Sequence, residues 1–96
     1  MARFVLWGKY CDNALEKRGP FRERHLERLA LLHGERTLIT LGPTEGSTHV
    51  FAVFEAESFS VVRALVEEDI YWQEGIWSAY DVYPWIEAFP YQADAK

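Results

Sequence analysis

Two titratable side chains stand where the surrounding sequence pattern is apolar. His25 lies in the arginine-rich segment 22–29, one turn before Leu29, so its ring is expected to face the edge of the core and not open water. Asp69 follows aliphatic residues by three, four and seven positions, which places it at the inward-facing end of a later helix. Because each group falls on the buried face of its own helix, the two could form a dyad in a pocket.

The positions of His25 and Asp69 admit a catalytic and a structural interpretation. A histidine side chain can pick up and return a proton near neutral pH, which is the requirement for general acid–base catalysis. An unpaired buried aspartate carries a desolvation penalty, so simple pairing explains the two positions equally well. Both interpretations predict that the two side chains lie about 2.6–3.2 Å apart or share one bridging water.

The net charge of −5 conceals an asymmetry along the chain. Residues 17–36 carry six basic and three acidic side chains, whereas the remainder carries four basic and twelve acidic ones. An acidic body argues against a nucleic-acid partner, because phosphate binding needs a basic face. The basic segment instead favours a small anion, such as a carboxylate, as the ligand.

Arg18 and Arg22 are the arginines predicted to bind that substrate. Arg22 lies three residues before His25, on the same face of the predicted helix. Arg24 and Arg28 are interpreted instead as part of a solvated face, where they alternate with glutamates at helical spacing.

Length and composition predict a single domain, residues 1–96, that associates as a homodimer. Hydrophobic residues make up 49% of the chain and aromatic residues 16%, which is more apolar surface than a monomer of 96 residues is expected to hide. The single cysteine, Cys11, cannot build a disulfide framework, and neither a signal peptide nor an apolar run of about 20 residues is present. A cytoplasmic protein with no membrane partner is therefore expected.

No metal or other cofactor is predicted from the residue spacing. His33 and His49 have no second ligand at a metal-like distance along the chain. Four aromatic residues could line an aromatic pocket or could equally be core and interface packing: Tyr10, Tyr71, Trp72 and Trp77.

The elements that must position these residues alternate in the order β-α-β-β-α-β. Strands are predicted at 3–10, 36–41, 49–55 and 76–83, with Pro84 ending the last, and helices at 19–33 and 58–69. In the first helix the apolar stripe is predicted to be Leu26, Leu29, Ala30 and His33, followed by Gly34 as a left-handed cap.

This order is that of a ferredoxin-like α+β fold, in which a four-stranded antiparallel sheet carries both helices on one face. The other face would be naked, and residues such as Trp7, Phe51 and Val53 would be covered there only by a partner sheet. The apolar segment 85–91 is expected to pack across its own pocket or onto the second subunit.

Several short motifs, in order, resemble those of the YciI-like family of the dimeric α+β barrel superfamily. Asp69-Ile70-Tyr71 resembles the family's Asp-Pro-Tyr/Phe signature, with isoleucine in place of the usual proline. The loop after Gly42-Pro43 is short for the family, and the resemblance spans about residues 3–86. The other matching residues are Asp12, Arg18, Arg22, His25, Leu26, Leu29, Gly34, Gly75 and Pro84.

The resemblance implies a histidine–aspartate centre beside the sheet, carried by His25 and Asp69, with Tyr71 among the substrate-binding residues. It also implies a small anionic or cyclic organic ligand, because the family includes a dehydrochlorinase acting on a chlorinated hydroxyquinol. Three functions follow as alternatives: a cofactor-free lyase or isomerase, a ligand-binding dimer without catalysis, and a cofactor-independent oxygenase.

Overall fold

The computed structural model describes residues 1–90, which form one antiparallel sheet and a layer of helices. The strands are β1 (Ala2–Tyr10), β2 (Leu38–Pro43), β3 (His49–Ala56) and β4 (Trp77–Trp85). The helices are α1 (Ala14–Lys17), α2 (Arg22–Gly34), α3 (Phe59–Glu67) and α4 (Ile70–Gln73), with short 3₁₀ turns at Gly19–Phe21 and Glu45–Ser47.

The sheet has the strand order β2-β3-β1-β4, and every neighbouring pair is antiparallel. This confirms the predicted ferredoxin-like α+β fold. In the central strand β1, Phe4, Leu6 and Tyr10 are buried toward the helices, while Trp7 and Lys9 are exposed on the other side. The residues alternate in this way because successive side chains of a strand point to opposite faces.

The buried stripe of α2 differs from the predicted one. His25 and Leu32 are buried and Leu29 packs against the core, whereas Leu26 is 43% exposed and Ala30 is also exposed. The spacing i, i+4, i+7 is helical in both cases, but the helix is rotated so that a histidine takes the central place in the stripe.

Three predicted boundaries were wrong. Gly34 is the last residue of α2, and the left-handed residue that follows the helix is Arg36, with φ of 66°. Gly42 and Pro43 continue β2 instead of starting the turn. Pro84 does not end β4, because at the outer edge of a sheet a residue without an N–H group costs no ladder hydrogen bond.

Asp69 does not end the second long helix. That helix begins as predicted, with Ser58 Oγ accepting from the backbone N–H of Val61, but it stops at Glu67. Asp69 instead caps the separate short helix α4, where its Oδ1 accepts from the backbone N–H of Tyr71 at 2.9 Å. The extended backbone at Asp69 turns its side chain back toward α2.

The sheet face opposite the helices carries exposed aromatic residues, but Val53 on this face is only 4% exposed and is therefore buried without the partner sheet that was expected to cover it. Cross-strand pairs there include Trp7 with Phe51 and Val5 with Val53, and Trp7 also stacks on the His49 ring at a centroid distance of 4.9 Å. Trp7 and Phe51 are 41% and 39% exposed. Beyond β4, Ile86 and Phe89 are also exposed, so they do not pack across the chain's own pocket, and Tyr91 of the same predicted segment lies outside the described residues.

Within residues 1–90 the structure has no helix with the length and hydropathy needed to span a bilayer.

Gly8 is the position in β1 at which the neighbouring strands β3 and β4 leave no room for a side chain. A Cβ atom there would lie 2.8 Å from Val50 Cγ1 and 3.2 Å from the carbonyl oxygen of Ala79. We expect Gly8→Ala to lower the free energy of unfolding by about 1–3 kcal/mol, as overpacking does in other cores. Gly34→Ala is the control, because nothing lies within 4 Å of its Cβ position, and it should stabilise by about 0.5–1 kcal/mol. Urea titrations in which Gly8→Ala has a higher free energy of unfolding than Gly34→Ala would contradict this account of β1.

Candidate active site

His25 and Asp69 are in direct contact although they are 44 residues apart in sequence. His25 Nδ1 lies 2.8 Å from Asp69 Oδ1, and their side chains are only 4% and 2% exposed. This distance falls within the range expected from the sequence. A carboxylate can only accept this hydrogen bond, and the imidazole then donates it from Nδ1.

The second ring nitrogen of His25 is left for other partners. Among residues 1–90 no group forms a hydrogen bond with Nε2 of His25. Nε2 is also not among the fully buried side-chain polar atoms that lack a partner. The imidazole can therefore present an unshared lone pair at Nε2 while Nδ1 is held by the carboxylate.

Asp69 is held by donors from two different elements besides His25. Its Oδ1 accepts from the N–H of Tyr71 at 2.9 Å, and its Oδ2 accepts from Arg28 Nη1 at 3.1 Å. Arg28 Nη2 also donates to the carbonyl oxygen of Leu65 at 2.8 Å. Three donors on one buried carboxylate fix its plane.

Arg28 is thus a site residue that sequence reasoning misassigned to the solvated face. It lies three residues after His25, and this spacing places the two side chains on neighbouring parts of the same helical face. That spacing was the signal available in the sequence. Arg24, which was assigned to the same solvated face, is exposed as expected.

Aromatic rings enclose the imidazole on two sides. Tyr71 stacks on His25 with centroids 3.7 Å apart and planes within 8° of parallel. Trp77 stands perpendicular to both rings, at 5.4 Å from His25 and 5.8 Å from Tyr71. Trp77 Nε1 is buried without a hydrogen-bond partner among the described residues, which leaves the edge of one aromatic wall polar and unsatisfied.

Arg18 and Arg22 lie close enough to Tyr71 for their charges to act on its hydroxyl group. Burial raises the pKa of Tyr71 above its ordinary value, and the two nearby guanidinium groups oppose this rise. The tyrosine is therefore protonated at neutral pH and available as a hydrogen-bond donor. Arg22 is exposed and Arg18 half-buried, so both can meet an anion that arrives from solvent.

Four cavities lined by residues within 1–90 do not have His25 or Asp69 in their walls. They measure about 390, 320, 530 and 230 Å³, and Tyr10 lines the second of them. The pair lies instead within the layer between α2, α4 and β4. Within residues 1–90 no three histidine, cysteine, aspartate or glutamate side chains are arranged to hold a metal ion.

The arrangement is suited to moving one proton. A carboxylate bonded to Nδ1 orients the imidazole ring, and the parallel Tyr71 ring packs against the face of that ring. Such acid–base assistance typically accelerates a reaction by roughly 10²–10⁴-fold.

Fold and site together define a small α+β protein of ferredoxin-like architecture with a buried histidine–carboxylate pair under its helices. Residues 2–86 match the model of the YCII-related domain. The chain belongs to this family.

Known relatives span nearly the whole chain. It is 31% identical over 96 residues to the Protein YciI of Escherichia coli O6:H1, covering 90% of this chain and 98% of that protein. An uncharacterized protein of Haemophilus influenzae is 28% identical with the same coverage.

A solved structure of a small-molecule enzyme has the same fold. It is the 5-chloro-2-hydroxyhydroquinone dehydrochlorinase of Burkholderia phenoliruptrix in complex with 2,5-dihydroxybenzoquinone, with a TM-score of 0.75 and 27% sequence identity. The match covers 86% of this chain and 92% of the dehydrochlorinase.

Proposed function

We propose that this protein is a cofactor-free lyase or isomerase in which His25 transfers a proton and Asp69 orients it. The observation that carries the proposal is the 2.8 Å contact between Nδ1 and Oδ1, because it commits one nitrogen to the carboxylate and leaves Nε2 for a substrate. The likeness to a dehydrochlorinase supports elimination on a hydroxylated ring as the reaction type.

In such an elimination Nε2 of the neutral imidazole takes a proton from the substrate. The electron pair of the broken bond forms a new double bond in the ring, and the leaving group departs as an anion such as chloride. The imidazolium, stabilised by Asp69 and Tyr71, then returns its proton to water. In an isomerisation the same proton would return to a different carbon atom, with no leaving group.

Arg18, Arg22 and Tyr71 are proposed to bind the anionic oxygens of the substrate. The two arginines supply positive charge next to the Tyr71 hydroxyl, and this hydroxyl remains a donor at neutral pH. A phenolate, enolate or carboxylate would match this set of groups, which agrees with a small anionic or cyclic ligand.

A homodimer through the open sheet face is part of the proposal. Trp7 and Phe51, which are exposed, and the half-buried Val5 form an apolar patch that a second apolar surface would bury. Ile86 and Phe89, exposed just beyond β4, could add to the same interface.

Substitution of the pair should separate catalysis from folding. His25→Gln keeps most of the buried volume but removes the titratable ring, and we expect it to lower kcat by roughly 10²–10⁴-fold toward chlorinated hydroxyquinols. Asp69→Asn should lose most activity as well, because its amide cannot satisfy both the imidazole N–H and Arg28. Absorbance assays that detect binding of 2,5-dihydroxybenzoquinone but no turnover in the unsubstituted protein would favour a ligand-binding dimer. Oxygen consumption would favour an oxygenase.

Arg22→Gln tests the role of charge in ligand binding. We expect a weaker Kd for 2,5-dihydroxybenzoquinone at low salt and a smaller difference at high salt, because salt screens exposed charges over about 8–10 Å. Arg24→Gln, an exposed arginine of the same helix, is the matched control and should bind as the unsubstituted protein does. Equal affinities of the two variants at low salt would indicate that Arg22, like Arg24, does not bind the ligand.

Sedimentation equilibrium at micromolar concentration tests the dimer. We expect twice the chain mass of 11.2 kDa for the unsubstituted protein and a monomer for Phe51→Glu, which places a charge in the apolar patch. Leu31→Glu is the control, because Leu31 is 68% exposed on α2, away from that face. A stable monomer of the unsubstituted protein would contradict the proposed dimer.

A further inference from the structure

The hydrogen bonds of Arg28 to the site are more than a surface ion pair or simple packing would require. Its guanidinium donates to Asp69 Oδ2 and to the carbonyl oxygen of Leu65, and it lies 3.8 Å from Glu68 Oε1. The Asp69 side chain is 2% exposed, while that of Arg28 is 25% exposed. The arginine therefore reaches from the protein surface to a carboxylate that water cannot solvate.

The net charge of the buried pair formed by His25 and Asp69 is balanced by Arg28. With Arg28 present, its positive charge balances Asp69, and His25 can remain neutral without leaving a buried net charge. Without Arg28, the buried carboxylate would face a neutral imidazole alone, and binding one proton would convert the pair into an ion pair. An uncompensated buried charge is costly, so the proton would be retained.

The other groups around His25 do not supply the same balance. Tyr71 from α4 is protonated at neutral pH, and Trp77 from β4 has no titratable group. Arg22 on the same helix is exposed, so solvent screens its charge more strongly, and among the described residues neither Arg22 nor Arg18 donates to Asp69 as Arg28 does. Glu68 is largely exposed and already pairs with Arg28.

We propose that Arg28 is a positioning residue that keeps Asp69 ionised and aligned and thereby keeps the His25 ring neutral, with the proton on Nδ1 and Nε2 free to act as a base. This inference rests on the proposed acid–base function. It assigns to Arg28 the control of the proton count of the site and not a contact with substrate.

Nitrogen NMR of ¹⁵N-histidine-labelled protein at neutral pH tests the inference directly. In the unsubstituted protein the Nε2 signal of His25 should be that of a non-protonated nitrogen and the Nδ1 signal that of a protonated one. In Arg28→Gln both should appear protonated, because loss of a nearby positive charge favours the imidazolium by about tenfold or more. Arg24→Gln is the control and should leave both signals unchanged.

Two further variants keep the test decisive if Arg28→Gln folds poorly. Arg28→Lys retains the charge and should retain the neutral ring. The double variant Arg28→Gln/Asp69→Asn removes both charges and should also restore a neutral ring. Identical His25 signals in the unsubstituted protein and Arg28→Gln, or an imidazolium in Arg28→Lys, would overturn the inference.

Kinetics provide a readout that a purely structural role would not move. In Arg28→Gln we expect kcat to fall by about tenfold or more at neutral pH and to recover as the pH is raised, with little change in KM. A loss of kcat that is the same at every pH would show that Arg28 only maintains the fold. If no variant turns over any substrate but the NMR signals change as expected, the proton control by Arg28 stands and the lyase or isomerase function fails.

Discussion

The arrangement of this protein depends on the hydrogen bonds that the Asp69 carboxylate accepts. Its two oxygens receive donors from α2 and from the backbone of α4, so one buried anion connects the long helix to the corner between α3 and α4. Removing such a group from water costs several kcal/mol unless hydrogen-bond donors on both oxygens replace the lost water. The contacts of His25, Arg28 and Tyr71 meet this requirement, and the geometry of the site follows from it.

The role of α4 follows from the same requirement. A helix of four residues has little stability of its own, because nucleation is unfavourable and few internal hydrogen bonds form. Asp69 caps this helix and thereby places Tyr71, whose backbone N–H binds the carboxylate and whose ring stacks on His25. One residue therefore serves both as the cap of a local element and as the partner of a distant histidine. A substitution at Asp69 would disturb both functions at once, which is why the isosteric asparagine is the informative change.

The contact between His25 and Asp69 could be predicted from the sequence because it depends on regular features. Helical periodicity placed His25 on an inward face, and the β-α-β-β-α-β order placed both long helices on one side of the sheet. Asp69 also faces inward, but as the extended cap of α4 and not as the predicted end of the second long helix. The rotation of α2 was not predictable in the same way. Leu26 and Ala30 are apolar and were assigned to the core, but a helix at the edge of a small sheet cannot bury every apolar residue it carries.

Arg28 shows why the rest of the site was harder to predict. Its type and its neighbouring glutamates are those of a solvated helix face, and its partners Leu65 and Asp69 lie 37 and 41 residues away. A long side chain at the boundary of the core can run its aliphatic stem along the surface and place its charge inward or outward. Which way it turns is decided by whether a buried anion lies within reach. Sequence periodicity predicts Cα positions, but it does not show the direction of a flexible charged side chain. In this protein, the direction of Arg28 decides whether a positive charge compensates the buried carboxylate.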